Sequence, residues 1–195
     1  GGGIMDQFVS VLGNQNEALF LNTANRNYEL IPIFKDYKFV IIDSNTQRIL
    51  SDSNFNQKKE LCYSAAKNMN VENLCVKSKI GEHDIQSLSD DELSVSKHVI
   101  EENIRVVKAA QFLKSNGAEE FGKLMTESHM SLSKYYKVST LELDKLVDLA
   151  NSFGALGSKL TGAGFGGAIV TLVKKELVEE LKKYILDNYP NAKFI

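Results

Sequence analysis

Two stretches of this 195-residue chain set glycine beside groups that could hold an anion or move a proton. The first is Gly1-Gly2-Gly3-Ile4-Met5-Asp6-Gln7-Phe8. Glycine lets backbone N–H groups approach a ligand without side-chain interference. A helix starting here would aim its first unpaired N–H groups and positive dipole end into the gap. A carboxylate at such a place can accept a proton, or it can cap the helix. The second stretch is Gly157-Ser158-Lys159-Leu160-Thr161-Gly162-Ala163-Gly164-Phe165-Gly166-Gly167, which holds five glycines. By pattern, Gly162-x-Gly164-x-x-Gly167 matches a dinucleotide fingerprint, but that fingerprint must follow a strand and open a helix. Here the glycines lead into Ala168-Ile169-Val170-Thr171-Leu172-Val173, a strand. A Walker A loop fails as well, because Lys159 precedes the glycines instead of following them. Two readings remain. One is a tight hairpin whose glycines supply positive φ, and the other is a loop offering N–H donors to an anion. Five glycines beside Ser158, Lys159 and Thr161 favour a phosphate-side role.

These stretches need elements to position them. Ile4, Phe8, Val11 and Leu12 recur at helical spacing, and Gly13 fits a stop, so 4–13 is predicted as a short helix. Strands are expected at 18–22 and 28–33, joined by a turn around Asn25-Arg26-Asn27. Phe39-Val40-Ile41-Ile42, bounded by Asp43-Ser44-Asn45, predicts a well-buried central strand over 38–43. A helix from the 51–54 caps to about Asn70 would bury Leu61, Ala65 and Met69. Ser89-Asp90-Asp91-Glu92 opens a long helix ending near Asn116-Gly117, with a core stripe of Val99, Ile100, Ile104, Val107, Phe112 and Leu113. Helices over 119–135 and 141–152 follow, then the glycine-dense stretch, a strand at 168–173, a helix at 175–188 and a last strand at 192–195. Meander first and strand–helix–strand last argue for an α+β sandwich with a mostly antiparallel sheet.

Composition narrows the class. The chain is 43% hydrophobic and 25% charged, with 23 Lys+Arg against 25 Asp+Glu. No basic face stands out, so nothing supports a nucleic-acid partner. No apolar run approaches the ~20 residues of a membrane span, and no signal peptide is evident; the expected location is the cytoplasm. Cys62 and Cys75 form no disulfide framework and read as reduced thiols. The histidines, His83, His98 and His129, show no metal-ligand spacing, and packing or hydrogen bonding is the favoured role for His129. Asp43 and Asp144 are expected to end a strand and solvate a helix. The first methionine, Met5, lies inside the first glycine stretch, so the chain is expected to be the C-terminal part of something longer.

Four segments together carry a family resemblance. Gly3-Ile4-Met5-Asp6-Gln7-Phe8 resembles the galactokinase segment that bears the catalytic aspartate. Lys159-Leu160-Thr161-Gly162-Ala163-Gly164-Phe165-Gly166-Gly167 resembles the C-terminal glycine motif of the GHMP small-molecule kinases. Between them, Glu127-Ser128-His129-Met130-Ser131-Leu132 and Leu141-Glu142-Leu143-Asp144-Lys145-Leu146-Val147 are similar to galactokinase segments in the same order. The resemblance covers essentially the whole chain.

It implies the GHMP-kinase C-terminal fold, a ferredoxin-like two-layer α+β sandwich, over 23–195, with 1–22 ending the N-terminal kinase domain. The implied activity is phosphoryl transfer from ATP, with Mg²⁺, to the anomeric hydroxyl of galactose. Asp6 would be the catalytic base and a sugar ligand, and Gly3 and Phe55 would also bind sugar. The loop Gly162, Ala163, Gly164, Phe165, Gly166 and Gly167 would lie on the phosphate side, and no metal ligand is assigned. Phe55 stands in Asn54-Phe55-Asn56, where galactokinases usually place a tyrosine, so an N-acetylgalactosamine kinase is an alternative. A non-catalytic galactose- and ATP-binding sensor is another. The N-terminal half of the family, with its main phosphate loop, has no match here, so the chain alone is expected to be inactive.

Overall fold

The computed structural model describes residues 4–46 and 52–195, and their side chains apart from those of residues 52–55. A short helix, Ile4–Leu12 (α1), leads into a two-stranded antiparallel hairpin, Glu17–Leu21 (β1) and Tyr28–Pro32 (β2). Next comes Tyr37–Asp43 (β3), then the helices Asp52–Asn68 (α2), Glu82–Ser87 (α3), Asp90–Lys114 (α4), Ala118–Ser131 (α5) and Leu141–Phe153 (α6). Gly157–Thr161 (β4), Ala168–Lys174 (β5), Val178–Asn188 (α7) and Lys193–Phe194 (β6) complete the chain.

The second sheet runs β4-β5-β3-β6, every pairing antiparallel. β3 is central because it buries Val40 and Ile42 on one side, while Ile41 on the other side is exposed and Phe39 beside it is half-buried. Its register with β5 runs from Tyr37↔Lys174 to Asp43↔Ala168. Ile169 and Val173 of β5 join Val40 and Ile42 in the main core with Leu143, Leu146 and Ala150 of α6 and Leu181 and Ile185 of α7. On the opposite side of β5, Val170 and Leu172 pack with Phe34, Phe39, Phe121 and Met125. The α+β class and the antiparallel sheet therefore hold, with aromatic packing against α5 on the second side of the sheet.

Element by element, the sequence reading fits best where one signal dominates. Ser89 caps α4 with a capping box: its hydroxyl accepts from Glu92 N–H, and Glu92 accepts from Ser89 N–H at 2.9 Å. The expected α4 stripe needs correcting, because Val107 is exposed and the buried positions are Glu92, Val95, Ser96, His98, Ile100 and Ala110. Those positions encircle much of the helix because α2 and α5 both pack on it. In α2 the buried residues are Ala65 and Ala66, with Leu61 half-buried and Met69, just past the helix, buried beside them. The helix expected over 119–135 stops at Ser131 and continues as one π-helical turn, Leu132–Tyr136. Neither α3 nor β4 was expected.

Candidate active site and phosphate-side loop

The second glycine stretch divides into two parts with different tasks. Its first residues form β4, the outer strand of the sheet. Gly157 lies against the backbone of α5, and a Cβ there would fall 1.8 Å from the Gly122 carbonyl oxygen. Ser158 is buried and shares a hydrogen bond with Thr171 at 3.0 Å. Lys159 turns away from the loop: its ammonium donates to Ser128 Oγ at 2.7 Å and Glu102 Oε1 at 3.1 Å. Gly157, Ser158 and Lys159 thus each make a contact that ties β4 to α5, β5 or α4.

The second part, Gly162–Gly167, is the turn between β4 and β5. Gly162, Gly164, Phe165, Gly166 and Gly167 all have positive φ, so the hairpin reading of these glycines is correct as far as conformation goes. Gly164 could not be any other residue without a shift, since its φ is +81° and a Cβ would lie 2.3 Å from Val138 O. Four contacts fix the loop. Phe165 N–H donates to Val138 O at 2.7 Å, and its ring packs on the main core. The Gly167 carbonyl accepts from Ser44 N–H at 2.9 Å and from Ser44 Oγ at 2.7 Å. Among the described residues, the amides of Gly162, Ala163 and Gly166 have no protein acceptor, while Gly164 closes the turn at Gly162-Ala163. A rigid turn carrying such donors is a chemically suitable seat for phosphate oxygens.

Asp6 sits in the first turn of α1 and is exposed. Its carbonyl accepts from Ser10 Oγ at 2.8 Å. Among the described residues, no hydrogen bond joins Asp6 to the glycine loop. No residue of α1 is buried, and Met5, Val9 and Val11 are exposed. Gly3 and the side chain of Phe55 lie outside the described residues.

Between the β1–β2 hairpin and α4 and α5 lies a cavity of about 240 Å³. Leu19, Phe20, Ile31 and Leu124 line its apolar part, and Glu102, Arg105, Ser128 and Lys159 close one end. Glu102 accepts from Ser128 Oγ at 2.5 Å and from Arg105 Nε at 2.8 Å. Burial alone would raise its carboxyl, but Lys159, Ser128 and Arg105 outweigh burial and hold it at about 2. This ion-pair group joins α4, α5 and β4, and spacing alone did not reveal it.

Two histidines are buried in the same region. His98 Nδ1 lies 2.9 Å from Ser131 Oγ, the ring rests against Tyr136 at 4.7 Å, and burial lowers it to about 4. His129 Nδ1 accepts from Leu160 N–H at 3.2 Å. Its Nε2 is 3.0 Å from Asp144 Oδ1, off the line of a regular hydrogen bond. Asp144 also accepts from Ser139 Oγ at 2.6 Å and Ser133 Oγ at 3.1 Å. The hydrogen-bonding role expected for His129 stands, while Asp144 does more than solvate its helix. Sequence spacing missed this pair because the partners sit on different helices.

Residues 109–191 match the family profile described as GHMP kinases C terminal. A galactokinase of Thermotoga maritima is 36% identical over 189 residues, covering 96% of this chain and 53% of that protein. A galactokinase of Clostridium acetobutylicum is 38% identical over 195 residues, covering 96% of this chain and 50% of that protein. The crystal structure of Lactococcus lactis galactokinase complexed with galactose superposes with a TM-score of 0.89 at 29% identity, over 100% of this chain and 54% of that one. The crystal structure of L. major mevalonate kinase in complex with R-mevalonate shares the fold at a TM-score of 0.56 and 18% identity, over 91% of this chain and 46% of that one. The chain spans about half the length of the curated relatives it matches.

Proposed function

For a chain that carries the C-terminal domain of the GHMP kinases, we propose that it is the C-terminal portion of a galactokinase-type sugar kinase. The observation that carries this reading is its similarity to galactokinases along 96% of its length. The reaction is transfer of the γ-phosphoryl group of ATP to the anomeric hydroxyl of galactose. Asp6 accepts the hydroxyl proton as the oxygen attacks phosphorus and the bond to the leaving ADP oxygen breaks. A carboxylate is a weak base toward a sugar hydroxyl, so alignment of the nucleophile supplies much of the rate. Gly3 donates its N–H to the sugar.

The free amides of the β4–β5 turn donate to phosphate oxygens, which develop charge in the transition state. Their donor chemistry fits ATP. Mg²⁺, which neutralises phosphate charge when bound, has no cage here: among the described residues no three His, Cys, Asp or Glu side chains are grouped to hold a metal. In this reading it is held through the phosphates and through groups outside this chain. Among the described residues no helix is long and apolar enough to cross a membrane.

The test is galactose-dependent ADP release by the protein that contains this chain together with the N-terminal half seen in its relatives. Asp6→Asn should abolish most turnover and leave galactose binding nearly intact; surviving turnover would remove Asp6 as the base. The 195-residue chain alone should release no ADP with galactose. Phe55 in place of the usual tyrosine makes N-acetylgalactosamine the alternative sugar, and comparing the two sugars under the same assay decides between them.

A further inference from the structure

An edge strand normally exposes a row of unpaired N–H and C=O groups. On β4 that row is covered by side chains of a helix. Ser158 N–H donates to Thr126 Oγ1 at 3.4 Å, and Leu160 N–H donates to His129 Nδ1 at 3.2 Å. Gly122, at the start of the same helical face, lies against Leu156 and Gly157. The spacing fits. Gly122 to His129 is about 10.5 Å along a helix, and Gly157 to Leu160 is about 10 Å along a strand. α5 therefore tracks β4, and His129 meets it at Leu160, two residues before the glycine turn.

Nδ1 accepts a hydrogen bond only if it carries a lone pair, so the ring is neutral with its proton on Nε2. Burial favours that neutral form, outweighing Asp144. Nε2 faces Asp144, whose carboxylate is held by Ser133 and Ser139. Ser139 adjoins Val138, and the Val138 carbonyl receives the amide of Phe165 in the middle of the turn. One polar group thus anchors both the strand entering the turn and the residue that buttresses its centre.

We propose that His129, set by Asp144, is a positioning residue for the Gly162–Gly167 turn and keeps its free amides in the arrangement that accepts nucleotide phosphate. The clamp stands on geometry alone; only the identity of what the turn binds rests on the kinase reading.

The test has two arms. In the isotope-labelled 195-residue chain, amide hydrogen exchange is followed at Leu160 and at Phe165, the turn amide held by Val138. His129→Ala should speed both roughly tenfold, the loss expected for one buried hydrogen bond. His129→Asn, whose side-chain oxygen reaches the place of Nδ1, should restore slow exchange at Leu160. Asp144→Ala, at a half-exposed site, should shift both in the same direction and serves if His129→Ala does not fold. In the protein that includes the N-terminal half, His129→Ala should raise the KM for ATP roughly fivefold, within that same hydrogen-bond energy, without raising the KM for galactose, and His129→Asn should recover it. Unchanged exchange in a folded His129→Ala or Asp144→Ala chain overturns the clamp. Faster exchange with an unchanged KM for ATP overturns its link to the nucleotide. If the wild-type protein phosphorylates no sugar, the kinase reading fails, and the exchange arm still judges the clamp.

Discussion

The Gly167 carbonyl oxygen accepts two hydrogen bonds from one residue, Ser44, through its amide at 2.9 Å and its hydroxyl at 2.7 Å. This joins the end of β3 to the last residue of the glycine turn, and Ser44 is fully buried. Ser44→Ala keeps the amide bond and loses the hydroxyl bond. The expected cost is about 1 kcal/mol, read as a lower urea midpoint with an unchanged slope. A midpoint equal to wild type would show that the hydroxyl contributes nothing.

Two glycines with positive φ should respond very differently to alanine. Gly154, the C-terminal cap of α6, has φ +109° and nothing within 4 Å of a built Cβ, so Gly154→Ala should cost only the backbone strain of about 1–2 kcal/mol. Gly164→Ala adds a clash with Val138 O to the same strain and should cost clearly more. Equal unfolding midpoints for the two variants would contradict the close approach of the turn to Val138.

Acid should destabilise the fold in two steps. Burial lowers His98 from 6.5 to about 4. Glu102 drops from 4.5 to about 2, because Lys159, Ser128 and Arg105 outweigh the opposing effect of burial. In both cases the unfolded chain takes up the proton at higher pH than the folded one, so stability falls as protons are added. The His98 contribution is complete above about 6.5 and lost by about 4, and the Glu102 contribution is complete above about 4.5 and lost toward about 2. Urea midpoints between pH 7 and pH 3 measure this. His98→Gln should flatten the upper part of the curve and leave the lower part, whereas a wild-type curve already flat above pH 4 would refute the burial argument.

Asp6 should separate stability from activity. It is exposed, and its side chain takes part in no packing of the core. Asp6→Asn should therefore change the unfolding free energy of this chain by less than about 0.5 kcal/mol. A larger loss would mean that the carboxylate supports α1, and a fall in turnover could then no longer be assigned to proton transfer.

The sequence made some elements legible because their signal is local. Four apolar residues in a row marked β3, and Ser89 with Glu92 marked the start of α4. β4 gave no such signal: Gly-Ser-Lys-Leu-Thr has little strand preference, and its outer edge is satisfied by Thr126 and His129 from another element. The glycine turn was legible as a hairpin with positive φ, but Lys159 was not legible as the partner of Glu102. His129 and Asp144 meet only because the π-helical turn at Leu132–Tyr136 and Lys137, with φ +57°, redirect the chain between their helices. Spacing rules do not describe such a turn.

The register of the central sheet also dictates an order of events. Tyr37 pairs with Lys174 and Asp43 with Ala168, so β3 must wait for almost the whole chain before it finds its neighbour. Contacts that distant in sequence are slow to form, while helices close over short separations. A ribosome releasing this protein would expose the buried side of β3, with Val40 and Ile42 uncovered, until the residues of β5 emerge. A chain stopped before Ala168 should keep helical far-ultraviolet signal and lack the sheet. The glycine turn, lying just ahead of β5, would be among the last parts of the protein to take shape.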